Sequence, residues 1–160
     1  MIRTLKSNVL IILSIFTLIA CEFQLRGSIE ANFDSIQIKG GSAKFLAQLK
    51  KRVKQSGITI VNSNGEITLE ILEDKIDKSI LSLNSSGRVS EYELLYKMTF
   101  RFKNQTNKQW GEPISMDLRR EYTYDDENII AKDLEEKQLI SGMQDELIRA
   151  ITAQINTHSR

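Results

Sequence analysis

The sequence predicts an α+β fold, a two-layer sandwich with two helices packed on one face of a mostly antiparallel four-stranded sheet. Three observations predict it. From Val89 to Lys103, Tyr92, Leu94, Tyr96, Met98, Phe100 and Phe102 fall at every second position, with Glu93, Leu95, Lys97, Thr99, Arg101 and Lys103 between them. Strand side chains alternate between faces, so this stretch has one apolar face and one mostly charged face, and it runs for roughly 50 Å. A strand this long and one-sided needs neighbours on both edges and an apolar cover. Two other stretches, around Phe45–Val53 and from Ile129 to about Asn156, carry apolar residues at helical spacing and supply that cover. Clusters of Asn, Ser, Gly and Asp separate the periodic segments.

The elements follow in order. Phe33 to Lys39, with Ile36 and Ile38 in phase, reads as a short first strand that Gly40-Gly41 breaks. Ser42 is a good helix N-cap, and Phe45, Leu46, Leu49 and Val53 form the apolar stripe of the helix it opens, with Gly57 suited to the position just past its end. Lys50, Lys51, Arg52 and Lys54 crowd the rest of that helix and its C-terminal end, where cations complement the helix dipole. This cluster is either a solvated helix face, the commoner case, or an anion or lipid-phosphate patch. Ile58 to Val61 is apolar and β-branched, and Asn62 to Gly65 signals a turn. Glu66 to Leu83 alternates at Ile67, Leu69 and Ile71 and then changes phase through Ile76 and Ile80, which predicts a bulge near Glu73–Asp74. Asn84 to Gly87 closes a hairpin into the Val89 strand, and Asn104 to Asn107 turns out of it. The next strand carries Trp110, Ile114, Met116, Leu118, Tyr122 and Tyr124 in one phase, interrupted by Arg120, which points to an ion pair there. Gly111 and Pro113 suit an irregular start or an edge position. Asp125 to Asn128 caps a second helix of roughly seven turns, whose stripe is Ile130, Leu134, Leu139, Ile140, Met143, Leu147, Ile148, Ile151 and Ile155. Regular alternation assigns the tyrosines and Trp110 to the core first and to an interface second.

Composition narrows the function. The chain has 160 residues, near-zero net charge, one Cys and one His. No internal disulfide and no His/Cys metal cluster can form, and no His inside the fold is available to activate a nucleophile. Adjacent acids such as Asp125-Asp126-Glu127 and Glu135-Glu136 read as caps and solvated charge, so neither an enzyme nor a cofactor is expected. Near-neutral charge argues against nucleic acid as a partner.

Residues 1–20 read as a secretory signal, with Arg3 and Lys6 ahead of the apolar run Val9–Ile19. The run ends in Leu18-Ile19-Ala20-Cys21, which resembles the bacterial lipobox. Cys21 is then the lipidated N-terminus of a single mature domain, 21–160, and several acyl chains anchor it stably where one would be marginal. Loss of Arg3 and Lys6 moves the formal charge from +1 to −1.

Four features in sequence order resemble the LptE family of LPS-assembly lipoproteins. They are the opening Cys21-Glu22-Phe23-Gln24-Leu25-Arg26-Gly27, the stretch Ser86 to Tyr92 leading into the central strand, the run Tyr122 to Asp125 followed by Ala131 to Glu136, and the order strand, helix, three long strands, helix. Glu22 departs from the Gly common in the family at that place. The resemblance implies a non-catalytic part held on the periplasmic side of the outer membrane. It implies a plug that sits in the LptD β-barrel, helps that barrel assemble and binds lipopolysaccharide (LPS) on its way to the cell surface. LPS presents phosphates and acyl chains, so its binder needs cations beside apolar surface. Arg88, before the central strand, and Lys132, at the start of the last helix, are the candidate phosphate contacts, with Arg119-Arg120 a second pair. If the last helix packs antiparallel to the strand before it, Arg88 and Lys132 share one edge of the fold. The competing reading keeps the lipid anchor but makes the domain a periplasmic scaffold subunit of another envelope machine, such as the barrel-assembly complex.

Overall fold

A computed structural model describes residues 33–105 and 108–158. The signal segment, Cys21 and the lead as far as Asn32 lie outside these described residues. The strands are β1 (Ser35–Lys39), β2 (Thr59–Val61), β3 (Ile67–Leu83), β4 (Val89–Asn104) and β5 (Ile114–Thr123). The helices are α1 (Ala43–Gln55) and α2 (Ile129–His158), the latter preceded by a 3-10 turn at Asp126–Asn128. The sheet order is β2-β1-β3-β4-β5. The α+β class holds, but among the described residues the sheet has five strands, not four, and it is mixed. Both β2 and β3 run parallel to β1, while β3, β4 and β5 form the antiparallel meander. Sequence gave the fifth strand little signal because β2 is three residues long and has no room for alternation.

Ser42 caps α1: its Oγ accepts from the Phe45 N–H at 3.4 Å. Gly57 follows the helix at φ +80°, a left-handed conformation that suits glycine at that place. Gly40 is the second demanding glycine. It lies at φ +74°, and a Cβ there would sit 2.1 Å from the Ile71 carbonyl oxygen. The chain leaves β1 for α1 only because β3 can approach so closely at this point.

The bulge is at Leu72, beside the predicted place. Ile71 pairs with Phe100 and Glu73 with Thr99, so Leu72 is the extra residue on β3. Beyond it, Asp74, Ile76, Lys78 and Ile80 pair with Met98, Tyr96, Leu94 and Tyr92 and share the helix-facing side. The core lies between that side and the helices. Phe45, Leu49 and Val53 of α1 and Met143, Leu147, Ile151 and Ile155 of α2 cover Leu69, Leu94, Tyr96, Met98 and Phe100.

Among the described residues, no helix covers the opposite side of the sheet. It is a ladder of paired polar groups: Arg101 with Glu70 at 2.6 Å, Arg119 with Glu93 at 3.0 Å, and Thr99 Oγ1 with Ser115 Oγ at 3.1 Å. Trp110 belongs to this side and not to the in-phase core set. It bridges Lys103 outside any named strand, and the Arg101 guanidinium lies 4.3 Å from its ring centroid. Gly111 and Pro113 separate it from Ile114, so alternation does not carry across. Among the described residues, no helix is long and apolar enough to cross a membrane.

Candidate functional site

The meander brings four chain segments to one end of the molecule. Leu83 pairs with Val89 across the hairpin, Glu91 pairs with Thr123, and the Tyr124 N–H donates to the Ser90 carbonyl at 2.8 Å. The end of β3, the start of β4, the end of β5 and the start of α2 therefore meet in a single tip.

Arg88 stands in the hairpin of this tip. Asn84 folds that hairpin, since its Oδ1 accepts from the Ser86 and Arg88 N–H groups, both at 3.0 Å. Asn is suited to this work because its short amide mimics a backbone carbonyl. The backbone of Arg88 is thus held, and among the described residues its guanidinium has no partner. Lys132 reaches the same end of the sheet. Its Nζ donates to Thr123 Oγ1 at 3.1 Å and to Glu135 Oε2 at 2.9 Å, which leaves its side chain 19% exposed. The expected sharing of one edge is therefore present, but the two cations differ: Arg88 is free and Lys132 is tethered.

Between them runs apolar surface that the core does not use. Ile80, Leu81 and Leu83 on β3 and Ile129, Ile130 and Leu134 on α2 are all exposed, Ile130 to 88% and Leu83 to 58%. The predicted stripe of α2 is correct as a stripe, but its first two members overrun the sheet. Ile130 and Leu134 do not enter the core.

Beneath the rim lies a polar and aromatic layer. Tyr92 and Tyr122 lie 5.8 Å apart by ring centroid, and Tyr92 and Tyr124 meet edge-on at 5.1 Å. Lys78 Nζ sits 4.1 Å from the Tyr92 centroid and 2.6 Å from Glu136 Oε2. The Tyr122 hydroxyl donates to that same oxygen, also at 2.6 Å. Burial pushes the Tyr122 phenol up, and its bond to Glu136 adds to this, to about 12. Burial alone would raise Glu136, but the Lys78 and Tyr122 hydrogen bonds outweigh it and hold the carboxyl below its ordinary value. For Lys78 burial opposes the charge, and its interactions with Glu136 and Tyr122 together more than restore it, so its pKa is raised. Sequence reading missed Lys78. The signal was there: a bulge near Glu73 puts the even-numbered residues from 74 to 80 on the helix side, Lys78 included.

Arg120, the interruption in the β5 phase, faces α2 and pairs with Glu146 at 2.6 Å. Arg119 lies on the open side with Glu93. The two arginines point to opposite faces and do not form one site.

The model of the LptE family, described as lipopolysaccharide-assembly, matches residues 22–155. The chain belongs to the LptE family. Uncharacterized lipoprotein B from Nitrosomonas europaea superposes with a TM-score of 0.73 at 27% identity, covering 86% of this chain and 92% of that one. Rare lipoprotein B from Shewanella oneidensis gives 0.68 at 23% identity, covering 78% and 96%. A minor lipoprotein from Acinetobacter baumannii gives 0.62 at 23%, covering 79% and 92%. The latter two establish likeness of fold. No curated protein sequence matches the chain significantly. LptE membership makes this an LPS-assembly lipoprotein.

Proposed function

We propose that this LptE-family protein is lipidated at Cys21, held at the outer membrane, and seated as a non-catalytic plug in the LptD β-barrel, whose assembly it assists. Its tip binds LPS during delivery to the cell surface. The observation that carries the reading is the placement of Arg88 and Lys132 beside six exposed apolar side chains that the fold itself does not require. Guanidinium and ammonium groups suit phosphate, and the apolar rim suits the proximal parts of acyl chains. The charge-paired open side of the sheet suits a polar barrel lumen, because its Arg101–Glu70 and Arg119–Glu93 pairs present polar groups to that lumen.

The first test is a mild-detergent pull-down from outer membranes through a C-terminal tag. A stoichiometric large β-barrel with bound LPS is expected. A different machine, such as the barrel-assembly complex, would instead support the scaffold reading. The second test replaces Arg88 and Lys132 by Ala together. LPS binding should fall by about tenfold or more, as for loss of charge-assisted hydrogen bonds. Unchanged binding would remove these two residues from the site while leaving the barrel partnership standing.

A further inference from the structure

The two edges of the sheet are built differently. β2 is three residues long and offers little to a further strand. β5 is ten residues long, and among the described residues nothing pairs with its outer side. It follows β4 from Ile114 to Thr123 without a register shift, and it holds no Pro or Gly. In an antiparallel strand every second residue turns its N–H and C=O away from the neighbour it already has, so about half the backbone groups of β5 face outward. Shortness, bulges and Pro are common means of closing an edge, and β5 has none of them. What guards it is charge: Asp117, Arg119 and Glu121 stand in a row on the open side, all exposed.

That row disfavours most strands but fits a second copy of itself. Two β5 strands laid antiparallel about a twofold axis pair residues equally spaced on either side of the residue at the axis. With Leu118 there, Asp117 of each copy lies opposite Arg119 of the other, and Ser115 opposite Glu121. On the helix side Leu118 meets its own counterpart, and Met116 meets the aliphatic stem of Arg120. Ile114, Met116 and Leu118 are only partly buried in the single copy, so this pairing covers apolar surface as well. Other axes do worse. Asp117, Arg119 or Arg120 at the axis each faces its own like charge, and Met116 at the axis opposes no unlike charges. The groups needed are available. Lys97, which pairs with Asp117 across the ladder, turns to Asp77, and Asp117 has no ion-pair partner among the described residues. Arg119 is held by Glu93 yet keeps 61% of its side chain exposed, with donors to spare.

We propose that β5 is a self-association edge: two copies join through antiparallel β5 strands about a twofold axis at Leu118, held by reciprocal Asp117–Arg119 pairs. The copies concerned are those not seated in a barrel, and the proposal does not rest on the barrel or LPS reading. Its test follows the full chain in mild detergent by sedimentation velocity, with bound detergent separated from protein mass. A concentration-dependent dimer is expected. Asp117→Arg and Arg119→Asp each set like charges opposite one another twice, so each should weaken the dimer by about tenfold or more. The two changes together restore unlike pairs with polarity reversed and should bring the dimer back. Far-ultraviolet circular dichroism checks that each variant is folded. A second measurement fixes the register without changing charge. Leu118→Cys puts two sulfurs across the axis, where directly opposed Cα atoms lie roughly 4.5–5.5 Å apart, within disulfide range. It should cross-link on mild oxidation beyond the wild-type level set by Cys21. Met116→Cys, about 13 Å from its counterpart, should not. A monomer at all concentrations would overturn the proposal. So would cross-linking at 116 as readily as at 118, or a dimer indifferent to the single charge changes. The last result is also what acyl chains sharing a micelle would give, since those changes leave any lipid as it was.

Discussion

Asp74 and Lys78 are charged side chains of β3 that face the helices, opposite the buried Met98 and Leu94. Each survives there because it is fully engaged. Asp74 accepts from the Ser42 N–H at 2.7 Å and from the Tyr96 hydroxyl, joining the bulge to the start of α1. Asp74→Ala would leave a buried phenol without its acceptor. It should lower stability by about 1–3 kcal/mol, read as a fall in the urea midpoint at constant m. Glu136 serves Lys78 and Tyr122 at once, and its pKa is lowered by folding. Its contribution is therefore present above the ordinary carboxyl value of 4.5 and disappears as pH falls through the lower folded value. Glu136→Gln should cost about 1 kcal/mol at pH 7, allowing for partial exposure of the pair. The gap between variant and wild type should narrow progressively as pH falls below 4.5, in urea titrations at a series of pH values. A gap that did not change with pH would show that Glu136 acts through packing and not through charge. At the alkaline end the sign reverses: Tyr122 is raised to about 12, so its share is lost only as pH climbs through that value.

Among the elements, β3 is the one whose face changes partway. Its upstream half presents Ile67, Leu69 and Ile71 to the helices, and its downstream half presents Asp74, Ile76, Lys78 and Ile80. Leu72 absorbs the difference and is itself exposed. Deleting Leu72 straightens the strand yet keeps every later side chain on its present face. Deleting Ile76 sends Lys78 and Ile80 to the other side. The first variant should fold with a loss of about 1 kcal/mol, and the second should lose several, by circular dichroism and urea titration. Similar losses in both would mean that the bulge matters for its twist and not for its phase. Gly40→Ala tests the neighbouring close approach. Its left-handed backbone and the Ile71 carbonyl together predict a loss of at least about 2 kcal/mol in the same assay.

For the whole molecule, the packed core and the tip are distinct regions, and mutation should separate them. Leu83→Ser with Ile130→Ser touches two side chains that bury little, so stability should stay within about 0.5 kcal/mol of wild type. LPS binding should nevertheless weaken, since acyl contact is lost while both cations remain. The opposite outcome, a clear loss of stability with intact LPS binding, would make the rim structural. The two sides of the sheet divide labour in the same way: one is sealed by helices, and the other is a ladder of ion pairs that needs no cover.

The period of two in β4, the helical stripes and the polar turns determined by themselves the element order, the helix-facing side of the meander and the approximate bulge, because these depend on local spacing. The sequence also placed Arg88 and Lys132 at chain boundaries that an antiparallel meander must bring together. Tertiary structure alone decided the parallel β2, because three residues carry no period and their pairing depends on where α1 returns the chain. It alone placed Trp110 on the open side and left Ile130 and Leu134 outside the core. An apolar stripe records which side of a helix is greasy. How far the partner sheet extends beneath it is a property of the packed molecule, and that overrun is what gives the tip its exposed rim.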